Sequence, residues 1–425
     1  MSSWNGSEAT LKRRGFLRRG VLAAAGFMAG TGRAVARARP AVAIVGGGFA
    51  GSACALHLRQ LNPGIDVSLI DPVERYATCP MSNEVIAGER GIASITLSRA
   101  GLRRAGVTVI GERVTAIDAQ RRRLRLEAGS AITFDRLVVA PGIRFLWNRI
   151  EGYDEAAAQK MPHAWKAGQQ TMLLAAQLQH MNDGGVVAIS VPSGLMRCPP
   201  GPYERASLIA HYLRRHKPRS KVLILDANNS FPKQAQFTEA WNSLYPGMIE
   251  WVPVLEDGAV VRVDSATMTL YTAANTHRVA VANVIAPQAP GELAPATGLS
   301  SEHGWCPIVP ESFESTKMPG IHVIGDACIA DAMPKSASAA VSQSRQCAIA
   351  VAAMLSGRPT PEPVLDSICY SMLAPEQALA FPGHFELQEG KIIAAPRTAA
   401  AATPAQISLA AQRWYVQIRS DAFAA

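Results

Sequence analysis

No two cysteines in this 425-residue chain are spaced as CxxC, none opens a CxxCH, and none stands at a zinc spacing from histidine. Neither a cysteine-based metal site nor a haem attached to this chain is expected, so the metal ligand set is none. After the first forty residues no apolar run approaches the ~20 residues of a membrane span. Without internal repeats or a heptad run, solenoid and coiled-coil architectures are excluded. Charge is also scarcer than the totals suggest. The 42 Lys and Arg against 33 Asp and Glu could point to nucleic acid or a membrane surface, but residues 1–38 hold seven basic residues and one acidic. The remaining 35 basic and 32 acidic residues leave a net +3, and a nucleic-acid partner is not expected.

What is present begins with that basic leader. Arg13-Arg14 precedes Phe16-Leu17, a weakly apolar Gly- and Ala-rich stretch runs to Gly32, and A-x-A sites lie at Ala34-Val-Ala36 and Ala36-Arg-Ala38. This resembles a twin-arginine export signal. A short basic helix or membrane anchor is the other reading, and the glycine-broken apolar part falls short of a span. Export places the mature chain, from about residue 37 or 39, in the periplasm. Its length allows two or three domains. The alanine-rich stretch 394–402 reads as an exposed linker.

The mature chain is organised around 41–71. Ala41-Val-Ala-Ile-Val45 suits a buried parallel strand, Gly46-Gly-Gly-Phe-Ala-Gly51 a tight turn, and Ser52 to Leu61 a helix. Asp66 to Ile70 is a second strand, ending at Asp71. In a dinucleotide fold Gly46 makes the turn, Gly48 admits a pyrophosphate to the helix N-terminus, Gly51 lets helix and strand lie close, and Asp71 meets a ribose hydroxyl. Pro72 to Gly88 reads mostly as turn, 106–136 as short strands, and Leu137 to Gly142 as a buried strand and tight turn. Far downstream, Ile321-His-Val-Ile-Gly-Asp326 is a strand that delivers Asp326 at its carboxyl end, fit to receive a ribityl chain, or alternatively a plain strand-to-loop turn. A helix rich in small residues follows, Ser336 to Leu355.

A second αβ half lies between, with strands at Gly185–Pro192 and Lys221–Asp226 and a helix from Tyr203 to His216. Its loop, Ser193 to Tyr203, lacks GxGxxG, and three prolines remove N–H donors that a pyrophosphate needs. A nicotinamide is not expected as electron source. Of the seven cysteines, Cys54, Cys328 and Cys347 read as buried thiols and Cys306 as structural. Cys79, Cys198 and Cys369 lie in loops or in the carboxyl-terminal segment. For an exported chain a bridge between Cys198 and Cys369 could be a mere staple.

The chain resembles the flavin subunits of flavocytochrome c sulfide dehydrogenases, relatives of sulfide:quinone oxidoreductases within the glutathione-reductase-like superfamily. The likeness rests on Val45-Gly-Gly-Gly48, Thr78-Cys79 with Ser82-Asn-Glu-Val-Ile86, Pro162-His-Ala-Trp-Lys-Ala-Gly168, Arg197-Cys-Pro-Pro-Gly-Pro-Tyr-Glu-Arg-Ala206, Gly304-Trp-Cys-Pro307, Gly325-Asp-Ala-Cys-Ile329, Met333-Pro-Lys-Ser336 and Cys369-Tyr-Ser371. It departs at Pro80-Met81, and Phe381 to Thr403 matches poorly. The resemblance implies an α/β fold of two Rossmann-like dinucleotide-binding domains of the glutathione-reductase type plus a smaller carboxyl-terminal α+β domain. The FAD domain would be 39–150 with 295–358, the second Rossmann-like domain 151–294, and the carboxyl-terminal interface domain 359–425. By the same likeness FAD is bound by Gly46, Gly48, Gly51, Asp71, Gly142, Asp326 and Lys335 and joined covalently to Cys79. By that likeness too, Cys198 and Cys369 would form a redox disulfide. Glu204 is an acid/base candidate, or else an ordinary first-turn carboxylate. The expected activity is oxidation of sulfide, with electrons passed through FAD to a c-type cytochrome subunit. Alternatives are an accessory flavoprotein of a thiosulfate-oxidising system and an NADH-dependent flavoprotein reductase.

Overall fold

The computed structural model describes residues 39–302, 304–396 and 402–425. The basic leader lies outside the described residues. So do residues 397–401 of the alanine-rich stretch, whose first residues finish a strand, Lys391–Ala395, instead of belonging to a linker.

Strand β1 (Ala41–Val45), helix α1 (Phe49–Leu61) and strand β2 (Asp66–Ile70) form where the apolar pattern puts them. β1 lies at the middle of a parallel array, between β2 and the strand Arg136–Val139, so its Val-Ala-Ile-Val run is covered on both faces. Helix α1 begins three residues earlier than its periodicity suggests. Gly48 is its N-cap, and Gly51 sits inside the first turn against the Gly46 carbonyl, where any Cβ would collide. The strand Ile321–Val323 joins the far side of Arg136–Val139, bringing segments far apart in the sequence into one sheet. A single turn of 3-10 helix, Gly325–Ala327, follows and carries Asp326. The helix Ala337–Leu355 then packs along α1, its N-terminus capped by the Ser336 hydroxyl, which accepts from the Ala339 N–H.

A second parallel sheet has Val186–Val191 between Lys221–Asp226 and Val281–Val284, with Ile249–Val252 at its edge. Its helix, Gly201–His216, starts two residues before Tyr203 because proline is accommodated in a first turn, where its missing N–H has no partner to lose. Each parallel sheet has its own apolar core, one around Ile44, Leu69 and Val323, the other around Ile189, Ile224 and Ala282.

The third part is antiparallel: Leu365–Ala374, Gln377–Gln388 and Lys391–Ala395, followed by the helix Pro404–Phe423. Thr403 and Gln406 form a capping box at the start of that helix. The fold is thus α/β with two parallel-sheet units and a smaller α+β unit. The segment after Asp71 is more ordered than its turn chemistry suggests, holding a short strand, Arg75–Ala77, and a helix, Ser82–Ile86, reached through Met81 in left-handed conformation. No helix among the described residues is long and apolar enough to cross a membrane. No metal-like cluster of three or more His, Cys, Asp or Glu occurs among them either.

Candidate functional site

One elongated cavity of about 520 Å³ runs from the glycine turn to the carboxyl-terminal sheet and helix. Gly46, Gly48, Asp71, Cys79, Gly142, Asp326, Cys198, Glu204 and Cys369 all line it. Gly51 and Lys335 do not; both act from behind the wall. Gly46 holds φ +97° with the Ala140 carbonyl where a Cβ would be, and Gly48 leaves the first amides of α1 open, with no acidic residue in that turn. That arrangement suits a pyrophosphate. Asp71 accepts from the Gly47 N–H and, at 2.6 Å, from the Val73 N–H, which fixes its carboxylate at the strand end with lone pairs to spare for a ribose. Buried Arg99 braces the turn, donating to Gly47 O, to Ser52 Oγ at 3.1 Å and to Val73 O, and lying beside the stacked rings of Tyr76 and Phe423.

Midway along the cavity, Arg197 Nε donates to Asp326 Oδ2 at 2.8 Å and Nη1 to Cys79 Sγ at 3.1 Å. Asp326 and Cys79 hold Arg197 charged, its pKa raised in spite of burial. Trp165 closes this part, its indole N–H donating to Arg197 O at 3.1 Å. Its backbone N–H donates to His163 Nδ1 at 2.9 Å, and burial pushes that imidazole down to about 3, so it stays neutral. Lys335 Nζ donates to Asp326 O and Cys328 O, both at 2.8 Å, over the Trp305 ring. Lys335 therefore fixes the loop that presents Asp326. With glycine turn, ribose carboxylate, Asp326 and a loop cysteine on one cavity, the donor set fits FAD.

At the inner end stand Cys198, Cys369 and Glu204. Cys198 is in left-handed conformation, φ +53°, with its N–H on Lys335 O at 2.8 Å. Cys369 comes from the strand Leu365–Ala374. Every cysteine is a free thiol in this structure. Burial raises both thiols; Cys369 adds to the rise at Cys198, and Glu204 adds to it at both. Burial likewise pushes the Glu204 carboxyl up to about 7, against the Met372 N–H at 3.3 Å and Asn83, which hold it down. A carboxyl poised there can both give and take a proton near neutrality.

The second crevice, at the carboxyl end of the other parallel sheet, is filled by side chains. Asp226, placed as Asp71 is in the first half, is fully buried and accepts from Tyr203 Oη at 2.6 Å, Trp251 Nε1 at 2.9 Å and the Asn228 N–H at 3.0 Å. Phe231 stacks on Tyr203 with ring centroids 3.7 Å apart. A nucleotide ribose would have to displace this whole cluster.

Sequence reasoning missed Arg99, Arg197 and Trp165 as working parts. The last two stand within the motifs quoted for the family resemblance, which was the available signal. Arg99 had none, since its role depends on partners distant in the chain.

Three family models match successive stretches of the described chain. Residues 40–173 match Pyridine nucleotide-disulphide oxidoreductase, residues 171–286 match Sulfide dehydrogenase (flavocytochrome c) flavoprotein chain, central, and residues 361–423 match Flavocytochrome c sulphide dehydrogenase, flavin-binding. The sulfide dehydrogenase (flavocytochrome c) flavoprotein chain of Chlorobaculum thiosulfatiphilum is 50% identical over 44 residues, 10% of this chain and 92% of that sequence. The mitochondrial sulfide:quinone oxidoreductase of Mus musculus is 22% identical over 320 residues, 71% of this chain and 68% of that one. In fold, the sulfide:quinone oxidoreductase structure from Aquifex aeolicus superposes with a TM-score of 0.71 at 18% identity, over 91% of this chain and 93% of that one. The chain belongs to the family of flavoprotein subunits of flavocytochrome c sulfide dehydrogenase.

Proposed function

We propose that this protein is a periplasmic FAD-dependent sulfide dehydrogenase that hands electrons to a c-type cytochrome. One observation carries the reading: Cys198 and Cys369, far apart in sequence, reach the same cavity as the glycine turn, beside a carboxyl poised at about 7. The α1 amides would hold the pyrophosphate of FAD, Asp71 a ribose and Asp326 the ribityl chain, with Cys79 the attachment sulfur. Bound FAD would supply the conversion between a two-electron sulfur donor and a one-electron acceptor.

In the oxidised protein Cys198 and Cys369 share a disulfide. Hydrosulfide adds to one of the two sulfurs, the S–S bond breaks, and the other sulfur leaves as thiolate, so one cysteine now carries the persulfide. Ionised Glu204 takes the persulfide proton. Arg197 and Arg205 lie close enough to offset the negative charge that builds up at the thiolate. The chain has no haem motif, so the acceptor is a separate molecule, and the family's name supports a cytochrome.

Anaerobic sulfide should bleach the flavin of the purified protein. Cys198→Ser and Cys369→Ser should fold, load flavin and stay oxidised; normal bleaching of Cys198→Ser by sulfide would sink the mechanism. The leader supports export, for which a mature N-terminus near residue 37 or 39 in periplasmic protein is the expected mass. Retained Met1 would count against it.

A further inference from the structure

Arg197 is held more tightly than a charge-balancing role at the disulfide requires. Its backbone N–H donates to Gln288 Oε1 at 2.9 Å and its carbonyl accepts from the Trp165 indole, so the main chain is fixed on both sides. Its Nε is anchored on Asp326, which leaves Nη1 to reach Cys79 Sγ at 3.1 Å and Trp165 O at 3.3 Å. Asp326 and Arg197 side chains are each 15% exposed, so water screens this pair little. The ammonium of Lys166 also feels Cys79 through space, but it rests 5.4 Å from the centre of the Phe145 ring, while Arg197 is the cation that donates a hydrogen bond to that sulfur. One guanidinium N–H is thus aimed at one sulfur. A cation donating to sulfur favours the thiolate, which is the nucleophilic form.

We infer that Arg197 activates Cys79 for bonding to the 8α-methyl carbon of bound flavin, and is a catalytic residue of cofactor attachment. The inference rests on Cys79 as the attachment residue. In the step, the methyl carbon loses one C–H proton, the Cys79 thiol proton is lost, and Sγ bonds to that carbon. The carbon is oxidised by two electrons and the ring system is reduced by the same two. Dioxygen, or the ferric haem of the acceptor in two single steps, removes them and returns the linked flavin to its oxidised state. Arg197 acts by donating to Cys79 Sγ, which holds the sulfur in place and stabilises the negative charge that develops there as its proton leaves, until the C–S bond forms. Its anchor on Asp326 ties this activation to the residue fitted to hold the ribityl chain, so attachment and binding share one support.

The test uses full-length wild type, Arg197→Met, Arg197→Lys and Cys79→Ala, each supplied with excess FAD. Total bound flavin is read by absorbance, and linked flavin as that staying with the polypeptide after acid precipitation. Arg197→Met is expected to bind flavin yet link it roughly ten- to a hundredfold more slowly, the worth of one charge-assisted hydrogen bond. Guanidinium ion should restore part of the linking rate to Arg197→Met, ammonium ion should not, and neither should act on Cys79→Ala. Linking at the wild-type rate in Arg197→Met overturns the inference while leaving Cys79 as the attachment residue. If Arg197→Met fails to fold or load, Arg197→Lys decides, since it keeps the charge and loses the fork: slow linking supports the inference and wild-type linking overturns it. Release of all flavin by acid from wild type refutes Cys79 as the attachment residue, and the inference with it.

Discussion

The two parallel-sheet halves carry the same strand, loop, helix and acidic strand end, but they use that loop in opposite ways. In the first, Gly46 to Gly51 offers bare backbone, and Asp71 stays at the cavity wall. In the second, Ser193 to Tyr203 offers side chains, and Asp226 is sealed under Tyr203, Trp251 and Phe231. Arg197, Cys198 and Glu204, all from that second loop and the start of its helix, point into the cavity of the first half. A loop position that can cradle phosphate has become the arm that delivers chemistry to its neighbour. With its own crevice filled by side chains, this half makes no demand for bare backbone there, and the loop carries proline and cysteine.

Glycine substitution should separate the halves most sharply. Gly46→Ala meets both a left-handed backbone and the Ala140 carbonyl, and should cost more than about 3 kcal/mol with loss of flavin. Gly194→Ala meets the backbone cost alone, about 1 kcal/mol, with open space around it and unchanged flavin content. Equal losses in the two variants, by thermal melting and flavin absorbance, would erase the distinction. A smaller contrast is expected from the carboxylates. Asp71→Asn should weaken flavin retention about tenfold, by turning an amide towards N–H donors, whereas Asp226→Asn should lower the melting temperature by several degrees and leave flavin bound. Flavin titration of both variants decides this.

A pH-dependent contrast concerns Glu204, the second half's acid/base arm. Its carboxyl is raised above the usual 4.5 to about 7, so the folded state binds the proton more tightly than the unfolded chain. The stability this contributes is present below about 4.5 and is lost as pH rises to about 7. Glu204→Gln should therefore gain on wild type in melting temperature between pH 5 and pH 8. Flavin reduction by sulfide should also rise more steeply through pH 7 in wild type than in the variant, whose profile follows the ionisation of hydrogen sulfide alone, by stopped flow.

Much of the fold could be read locally. β1, the glycine turn and β2 follow from apolar runs and backbone demands that a few neighbouring residues settle among themselves, as does Asp326 at the end of Ile321–Val323. The inner end of the cavity could not be read that way. Cys369 and Cys198 entered through family resemblance, because no period or spacing connects a strand of the carboxyl-terminal sheet with a proline-rich loop. The sealing of Asp226 depends on Trp251 and Phe231, contributed by separate segments. The prolines alone reported that the Ser193 to Tyr203 loop is poor in N–H donors. Ser82–Ile86 was hidden for a different reason, since turn-forming residues flank a helix of one and a half turns too short to show periodicity.

The carboxyl-terminal segment has a consequence for how a newly made chain matures. Cys369, Tyr370, Ala411 and Trp414 line the cavity, and Phe423 stacks on Tyr76 beside the glycine turn, with centroids 5.5 Å apart. The turn leaves the ribosome early, yet the cavity lacks part of its wall until Trp414 and Phe423 have been made. No amino-terminal fragment contains the complete site. Cofactor capture in its full form thus follows synthesis of the helix Pro404–Phe423, and only a chain that carries that helix can present a closed cavity.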